Sequence, residues 1–140
     1  MHRFPSEEWT KAYKNALNYC HAYREAGKNW KFGSVAMIIR SDVSLGIEHD
    51  ASMVLDVHGG QCREAKFVEG ECAPEDAEFV IVASYRGWKD VIEGRLDPIK
   101  GMMEGKLKLT KGSLSTIVRF VESSRQLVAS ARKVPTNFPH

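Results

Sequence analysis

Apolar side chains recur every three or four residues at both ends of the chain, and short apolar runs fill its middle. Near the N-terminus, the stripe from Trp9 to Cys20 has the period of about 3.6 residues that an amphipathic helix requires. Ser6 precedes the stripe as a candidate N-cap, and Gly27 follows it as a residue that can end a helix in the left-handed conformation. The pattern therefore predicts one helix over residues 5–27.

Residues 33–84 have the shorter apolar runs and the turn residues that are typical of strands. The pattern predicts four strands, at about 35–41, 51–57, 62–68 and 78–84. Gly59-Gly60 separates the second strand from the third, and paired glycines at such a place favour a hairpin. The fourth strand is apolar almost throughout, which is typical of a strand inside a sheet.

Glycines divide the following stretch into very short elements. Two short helices are predicted within 85–105. The first carries Trp88 and ends at Gly94, and the second begins with Asp97 as its N-cap and Pro98 in its first turn.

The last part of the chain returns to one strand and one helix. Alternating lysines and apolar residues predict the last strand over 106–110. A helix is predicted over 113–132, with Ser113 or Ser115 as its cap. The prolines that follow predict a loose tail over 133–140.

The composition excludes some classes of protein but does not indicate a chemical function. The 140 residues are 43% hydrophobic and 27% charged, which is ordinary for one soluble domain over 1–140. A net charge of +2 gives no electrostatic case for binding nucleic acid. The longest apolar runs are far shorter than the ~20 residues of a membrane-spanning helix.

The ends of the chain and its cysteines bear on the cellular compartment and on disulfide or metal sites. The first residues lack the apolar core of a signal peptide, and the last three are not a peroxisomal address, so a cytoplasmic protein is expected. Cys20, Cys62 and Cys72 are odd in number and widely spaced, which favours neither a disulfide framework nor a zinc site. We expect no metal and no cofactor.

One block of residues is distinctive because of the order and spacing of its members, although each member alone is common. Its members are Trp88, Gly94, Leu96-Asp97-Pro98, Met103, Gly105-Lys106-Leu107-Lys108-Leu109 and Gly112. The block resembles the sterol carrier protein 2 (SCP2) lipid-transfer family, and the match is close over about 79–121. The family often has an acidic residue where this chain has Ser113, but both residue types cap helices.

The resemblance implies an α/β (α+β) fold in which a five-stranded, mostly antiparallel sheet is covered by helices on one face. It also implies a hydrophobic tunnel between sheet and helices. The implied function is non-catalytic binding and transfer of a fatty acid, another acyl chain or a sterol-like lipid.

Apolar residues in the second half of the chain are the candidates to line such a tunnel. Flexible methionines suit a pocket that accepts ligands of different shapes, although the same residues can simply fill the core. On the last helix, an outer line of Phe120 and Leu127 can either pack on the sheet or close a cavity. The candidate tunnel residues are Trp88, Ile92, Ile99, Met102, Met103, Leu107, Leu114, Ile117, Val118, Phe120 and Val121.

Basic residues near the expected tunnel mouth are candidates for transient membrane contact or for meeting a lipid carboxylate, although such charges can equally form a solvated face. They are Lys106, Lys108, Lys111, Arg119 and Arg125.

Two other functions stay open. Asp56 and His58 share a strand face and can pair a general base with an orienting carboxylate, so the alternative is a small enzyme or an accessory subunit acting on a hydrophobic substrate. A purely structural dimerisation domain with an exposed sheet edge, which forms a homodimer, is the third hypothesis.

Overall fold

A five-stranded sheet forms the middle of the protein, which a computed structural model describes over residues 1–140. The strands are β1 (His2–Arg3), β2 (Val35–Arg40), β3 (Ala51–His58), β4 (Gln61–Glu69), β5 (Phe79–Ser84), β6 (Lys108–Lys111) and β7 (Thr136–Asn137). Their order across the large sheet is β4-β3-β2-β5-β6. Within this sheet only β2 and β5 are parallel neighbours, so the mostly antiparallel sheet is confirmed.

Six helices accompany the sheet. They are α1 (Glu7–Tyr19), α2 (His21–Gly27), α3 (Tyr85–Ile92), α4 (Pro98–Met103), α5 (Leu114–Arg119) and α6 (Val121–Ala129). The side chains of Ser6, Asp97 and Ser113 cap α1, α4 and α5, because each accepts a hydrogen bond from the amide three residues on. None of the helices combines the length and the apolar character that a membrane-spanning segment requires.

The two faces of the sheet are covered differently. Alternate residues of β2 point to opposite faces, so Val35 and Met37 join the helices in a core of 27 buried residues. Ala36 and Ile38 belong to a second cluster of six buried residues, which contains no helical residue. A short 3-10 turn, Pro74–Asp76, lies beside that second cluster. The helices therefore lie on one face, as the resemblance implied.

The prediction of one N-terminal helix over 5–27 is wrong. The chain leaves the helical conformation at Cys20 (φ −89°, ψ 106°), whose sulfur accepts the Tyr23 amide at 3.4 Å and caps α2. Gly27 does not adopt a left-handed conformation, since its φ is not positive. A side chain there would stand 3.2 Å from the Cα of Gly60, so Gly27 serves close packing instead.

The prediction of one C-terminal helix over 113–132 is also wrong. Phe120 (φ −109°, ψ 43°) separates α5 from α6, and a 3-10 turn, Ser130–Lys133, follows. The Phe120 ring packs against Trp30 and Phe32 at centroid distances of 5.5 and 5.2 Å. These contacts come from a distant segment, so the helical period of the last helix alone does not report the break.

The tail over 133–140 is ordered rather than loose. Strand β7 pairs in parallel with β1, which joins the two ends of the chain. The rings of Phe138 and Phe4 lie 5.7 Å apart. The last strand of the large sheet begins at Lys108 instead of 106, because the amides of Lys106 and Leu107 donate to the carbonyl of Gly101.

Candidate functional site

An apolar cavity lies between the helix-covered face of the sheet and the helices. It is lined by 15 residues, of which 12 are hydrophobic. The sheet contributes Val35 and Met37 from β2, with Val57 and Ile81 from the strands on either side. The other lining residues are Tyr23, Trp30, Trp88, Pro98, Met102, Leu107, Ile117, Ser123, Ser124, Leu127 and Val128.

Four of the candidate tunnel residues meet at this cavity. Trp88 of α3, Met102 of α4 and Ile117 of α5 come from three separate helices, and Leu107 lies just before β6. These residues span the block that carries the family resemblance. Short helices ended by glycines therefore bring apolar residues from successive elements to one wall.

The other seven candidates lie outside the cavity wall. Ile92 and Ile99 are buried in the core, and Ile92 borders a smaller apolar space with Trp88. Met103 is 71% exposed. The remaining four lie on α5 or near the junction of α5 with α6: Leu114 and Val118 are exposed, whereas Phe120 and Val121 are partly buried against the core.

Eleven lining residues were not among the candidates. Most come from elements that carry no distinctive motif, such as β2, α2 and the turn that contains Trp30. The alternation along β2 could have identified Val35 and Met37, because residues two apart point to the same face. Leu127 does line the cavity, in agreement with one of the two interpretations of the outer line on the last helix.

The polar groups of the wall fall into two sets. The indole N–H groups are both used: Trp88 donates to the Ile38 carbonyl at 2.8 Å, and Trp30 donates to the Gly33 carbonyl at 3.0 Å. The hydroxyl groups of Tyr23, Ser123 and Ser124 make no hydrogen bond within the protein, but none of them is fully enclosed, since the only fully buried side-chain atom without a partner is the Tyr85 hydroxyl oxygen. Burial raises the pKa of Tyr23 well above its ordinary value, so its hydroxyl keeps its proton.

No charged side chain lines the cavity. Among the basic residues predicted at its mouth, Lys111 donates to the carbonyls of Pro74 and Ala77, both at 2.7 Å. Arg125 donates to Asp97 at 2.8 Å. The Arg119 guanidinium lies over the rings of Phe32 and Phe120, 5.6 and 5.7 Å from their centres. The wall therefore offers a ligand apolar surface and hydroxyl groups.

The space itself is small. The volume of the cavity, as the space open to the centre of a water molecule, is about 40 Å³. One water needs roughly 10–15 Å³ by that measure, so a few waters fit but a lipid chain does not. The wall must therefore open before a larger molecule enters.

Comparison with known proteins decides the family. A family model described as the SCP-2 sterol transfer family matches residues 23–122. The chain belongs to the SCP-2 sterol transfer family. No curated protein sequence matches the chain.

Two solved structures resemble this SCP-2 family member at high identity. A crystal structure of sterol carrier protein 2 is 40% identical, with a TM-score of 0.85, over 92% of this chain and 97% of that chain. A solution structure from Thermus thermophilus, described as possibly a sterol carrier protein, is 39% identical with a TM-score of 0.84, over 94% and 90%. The apo form of sterol carrier protein 2 from Yarrowia lipolytica is 19% identical with a TM-score of 0.58, over 91% and 92%, and supports the fold alone.

The pair considered for catalysis in this SCP-2 family member is not assembled. Both carboxylate oxygens of Asp56 accept hydrogen bonds from Arg63, at 3.0 and 3.1 Å. His58 ends β3 with an exposed side chain and has no hydrogen bond to Asp56. Neither residue lines the apolar cavity.

Proposed function

We propose that this protein reversibly binds a hydrophobic ligand, such as a fatty acid, another acyl chain or a sterol-like lipid, in the cavity between its sheet and helices. The observation that carries the proposal is the composition of the cavity wall, 12 hydrophobic residues out of 15. Such a wall binds by removing apolar ligand surface from water, and this needs no catalytic group. We infer that binding and transfer are the whole activity, with no chemical step.

The energetics suit a carrier. Burying a chain of ~14 methylenes at ~0.8 kcal/mol each gives roughly 11 kcal/mol before costs. Association and ordering cost an estimated 4–15 kcal/mol, so only part of that gain remains. The ligand is then held moderately, and a carrier must also release what it binds.

We propose that α5 is the part of the wall that moves. Ile117 is the only buried residue of this six-residue helix, so little apolar contact holds it. Gly112 before it has φ +99°, and the chain bends again at Phe120 after it. Both ends of α5 therefore provide points about which it can swing away from the sheet.

A binding titration tests this function. The protein is stripped of lipid under denaturing conditions and refolded, then titrated with a fluorescent fatty acid and a fluorescent long-chain alcohol. Saturable binding of at least one ligand is expected, and native mass spectrometry of protein that was never stripped should detect bound lipid. Absence of both results would refute the proposal.

A pair of variants tests whether the ligand binds in the cavity. Ile117→Trp fills the space behind α5 and should weaken binding by at least about tenfold, or ~1.4 kcal/mol. Val118→Trp adds the same ring to the exposed side of the same helix and should bind as the wild type does. Equal affinities of the two variants would show that the ligand binds elsewhere.

A further inference from the structure

Two buried hydroxyl-bearing residues line the cavity, one from α2 and one from α6, which contact each other. Tyr23 is 1% exposed and Ser123 is 7% exposed. Both approach the space that Gly27 leaves free: Oγ of Ser123 lies 3.4 Å, and Cε1 of Tyr23 lies 3.5 Å, from the point that a Cβ on Gly27 would occupy. Both residues line the cavity.

Neither hydroxyl has a hydrogen bond within the protein, in contrast to comparable groups nearby. Ser130, which follows α6, donates back to the carbonyl of Gln126 at 2.9 Å. The Ser123 hydroxyl makes no such bond, because Ser123 lies in the first turn of α6 and the residue four positions earlier, Arg119, belongs to α5. Tyr13 donates to the Leu127 carbonyl at 2.6 Å, whereas the neighbouring Tyr23 donates to nothing.

A hydroxyl that lines the cavity and makes no hydrogen bond within the protein is free to bond to a ligand. Since a hydroxyl both donates and accepts, it can pair with a hydroxyl or a carbonyl of the ligand. A carboxylate is a different case, because burying an ion without a partner of opposite charge is far more expensive. No cationic side chain lines the cavity. Arg125 is already paired with Asp97, the cap of α4.

We propose that Ser123 and Tyr23 bind the single polar group of an uncharged lipid, so that the cavity selects a hydroxyl- or carbonyl-bearing lipid over the carboxylate of the same chain length. This inference rests on the proposed function and narrows its ligand class. The apolar chain then lies along the strand residues and the residues of α3 to α6, while the polar group lies at the junction of α2 with α6.

The test compares two ligands that differ only in the polar group. Lipid-stripped protein is titrated at neutral pH with a pyrene-labelled long-chain alcohol and with the pyrene-labelled carboxylic acid of the same chain length. We expect the alcohol to bind at least about tenfold more tightly. Ser123→Ala and Tyr23→Phe should each weaken alcohol binding by a factor of roughly 2–13 and leave acid binding unchanged.

Matched variants control for general effects. Ser115→Ala and Tyr19→Phe remove the same groups from exposed positions and should bind both ligands as the wild type does. Thermal melting checks that each variant folds, and the wild-type comparison of alcohol with acid needs no variant.

The outcomes separate the two proposals. Acid binding equal to or tighter than alcohol binding overturns the selectivity and leaves the proposed function standing. A preference for alcohol that survives both substitutions overturns the assignment to Ser123 and Tyr23. Saturable binding of neither ligand overturns the proposed function itself.

Discussion

Trp88 offers a sharp test of how the helix layer is attached to the sheet. Its side chain is 2% exposed, and its indole N–H donates to the backbone carbonyl of Ile38, in the middle strand, at 2.8 Å. Trp88→Phe keeps an aromatic ring but removes this donor. A buried group that loses its partner costs about 1–3 kcal/mol, and the space left by the smaller ring adds on the order of 1 kcal/mol.

We therefore expect Trp88→Phe to lower the free energy of unfolding by about 2–4 kcal/mol, a large part of the ~5–15 kcal/mol typical of a domain. Urea unfolding followed by circular dichroism measures the loss without using tryptophan fluorescence, and the slope with urea should not change. Trp30→Phe is the matched control, because Trp30 donates to a loop carbonyl, that of Gly33, in a partly buried hydrogen bond. If Trp88→Phe cost no more than Trp30→Phe, the buried hydrogen bond would not anchor α3 to the sheet.

Two further predictions concern stability: one tests the glycine turn at Gly60 and the other the ionised side chain of Asp97. Gly60→Ala should destabilise the protein by at least about 2 kcal/mol in urea unfolding, because φ is +83° and the new Cβ would lie 2.9 Å from the Cα of Arg24. Gly46→Ala, at φ +76° with nothing near the new atom, should cost about 1 kcal/mol, and equal losses would contradict the steric part of the argument. Desolvation raises the pKa of Asp97, but hydrogen bonds from the Lys100 amide and the Arg125 guanidinium outweigh it and hold that pKa below its usual value. The stabilisation is therefore present above about pH 4 and lost as the pH falls through the folded-state pKa, so Asp97→Asn should flatten the acid limb of a stability–pH curve, and an unchanged limb would refute this.

Local pattern was sufficient to predict the five strands of the large sheet and the short helices α3 and α4, but not β1 and β7. The glycine pair at 59–60 does form a hairpin turn, with φ +60° and +83°, because few other residues adopt those angles. Asp97 and Pro98 do begin a helix, since a side-chain cap and a fixed φ act within one turn of the chain. The parallel pairing of β2 with β5 was not predicted, because it depends on residues about forty positions apart.

The cavity was predicted less well than the fold, for a physical reason. An apolar residue at a helical position can face a core, a cavity or a neighbouring helix, and its period is the same in all three cases. Leu114 and Ile117 illustrate this: one is exposed and the other is buried at the cavity, although both fit one stripe. The break at Phe120 turns the stripe, so three-dimensional packing decides which members reach the ligand space. Membrane contact and dimer formation stay predictions.

The proposed role of Ser123 predicts that a substitution can change ligand preference without changing the stability of the fold. Tyr23 lies on α2 and Ser123 on α6. The apolar wall between them comes from elements that also build the core, so a change there costs stability as well as binding. The Ser123 hydroxyl makes no hydrogen bond within the protein, so replacing the residue by alanine leaves no protein group unpaired. We expect Ser123→Ala to unfold within about 0.5 kcal/mol of the wild type while its preference for alcohol falls, and a large loss of stability would show that the hydroxyl supports the fold instead.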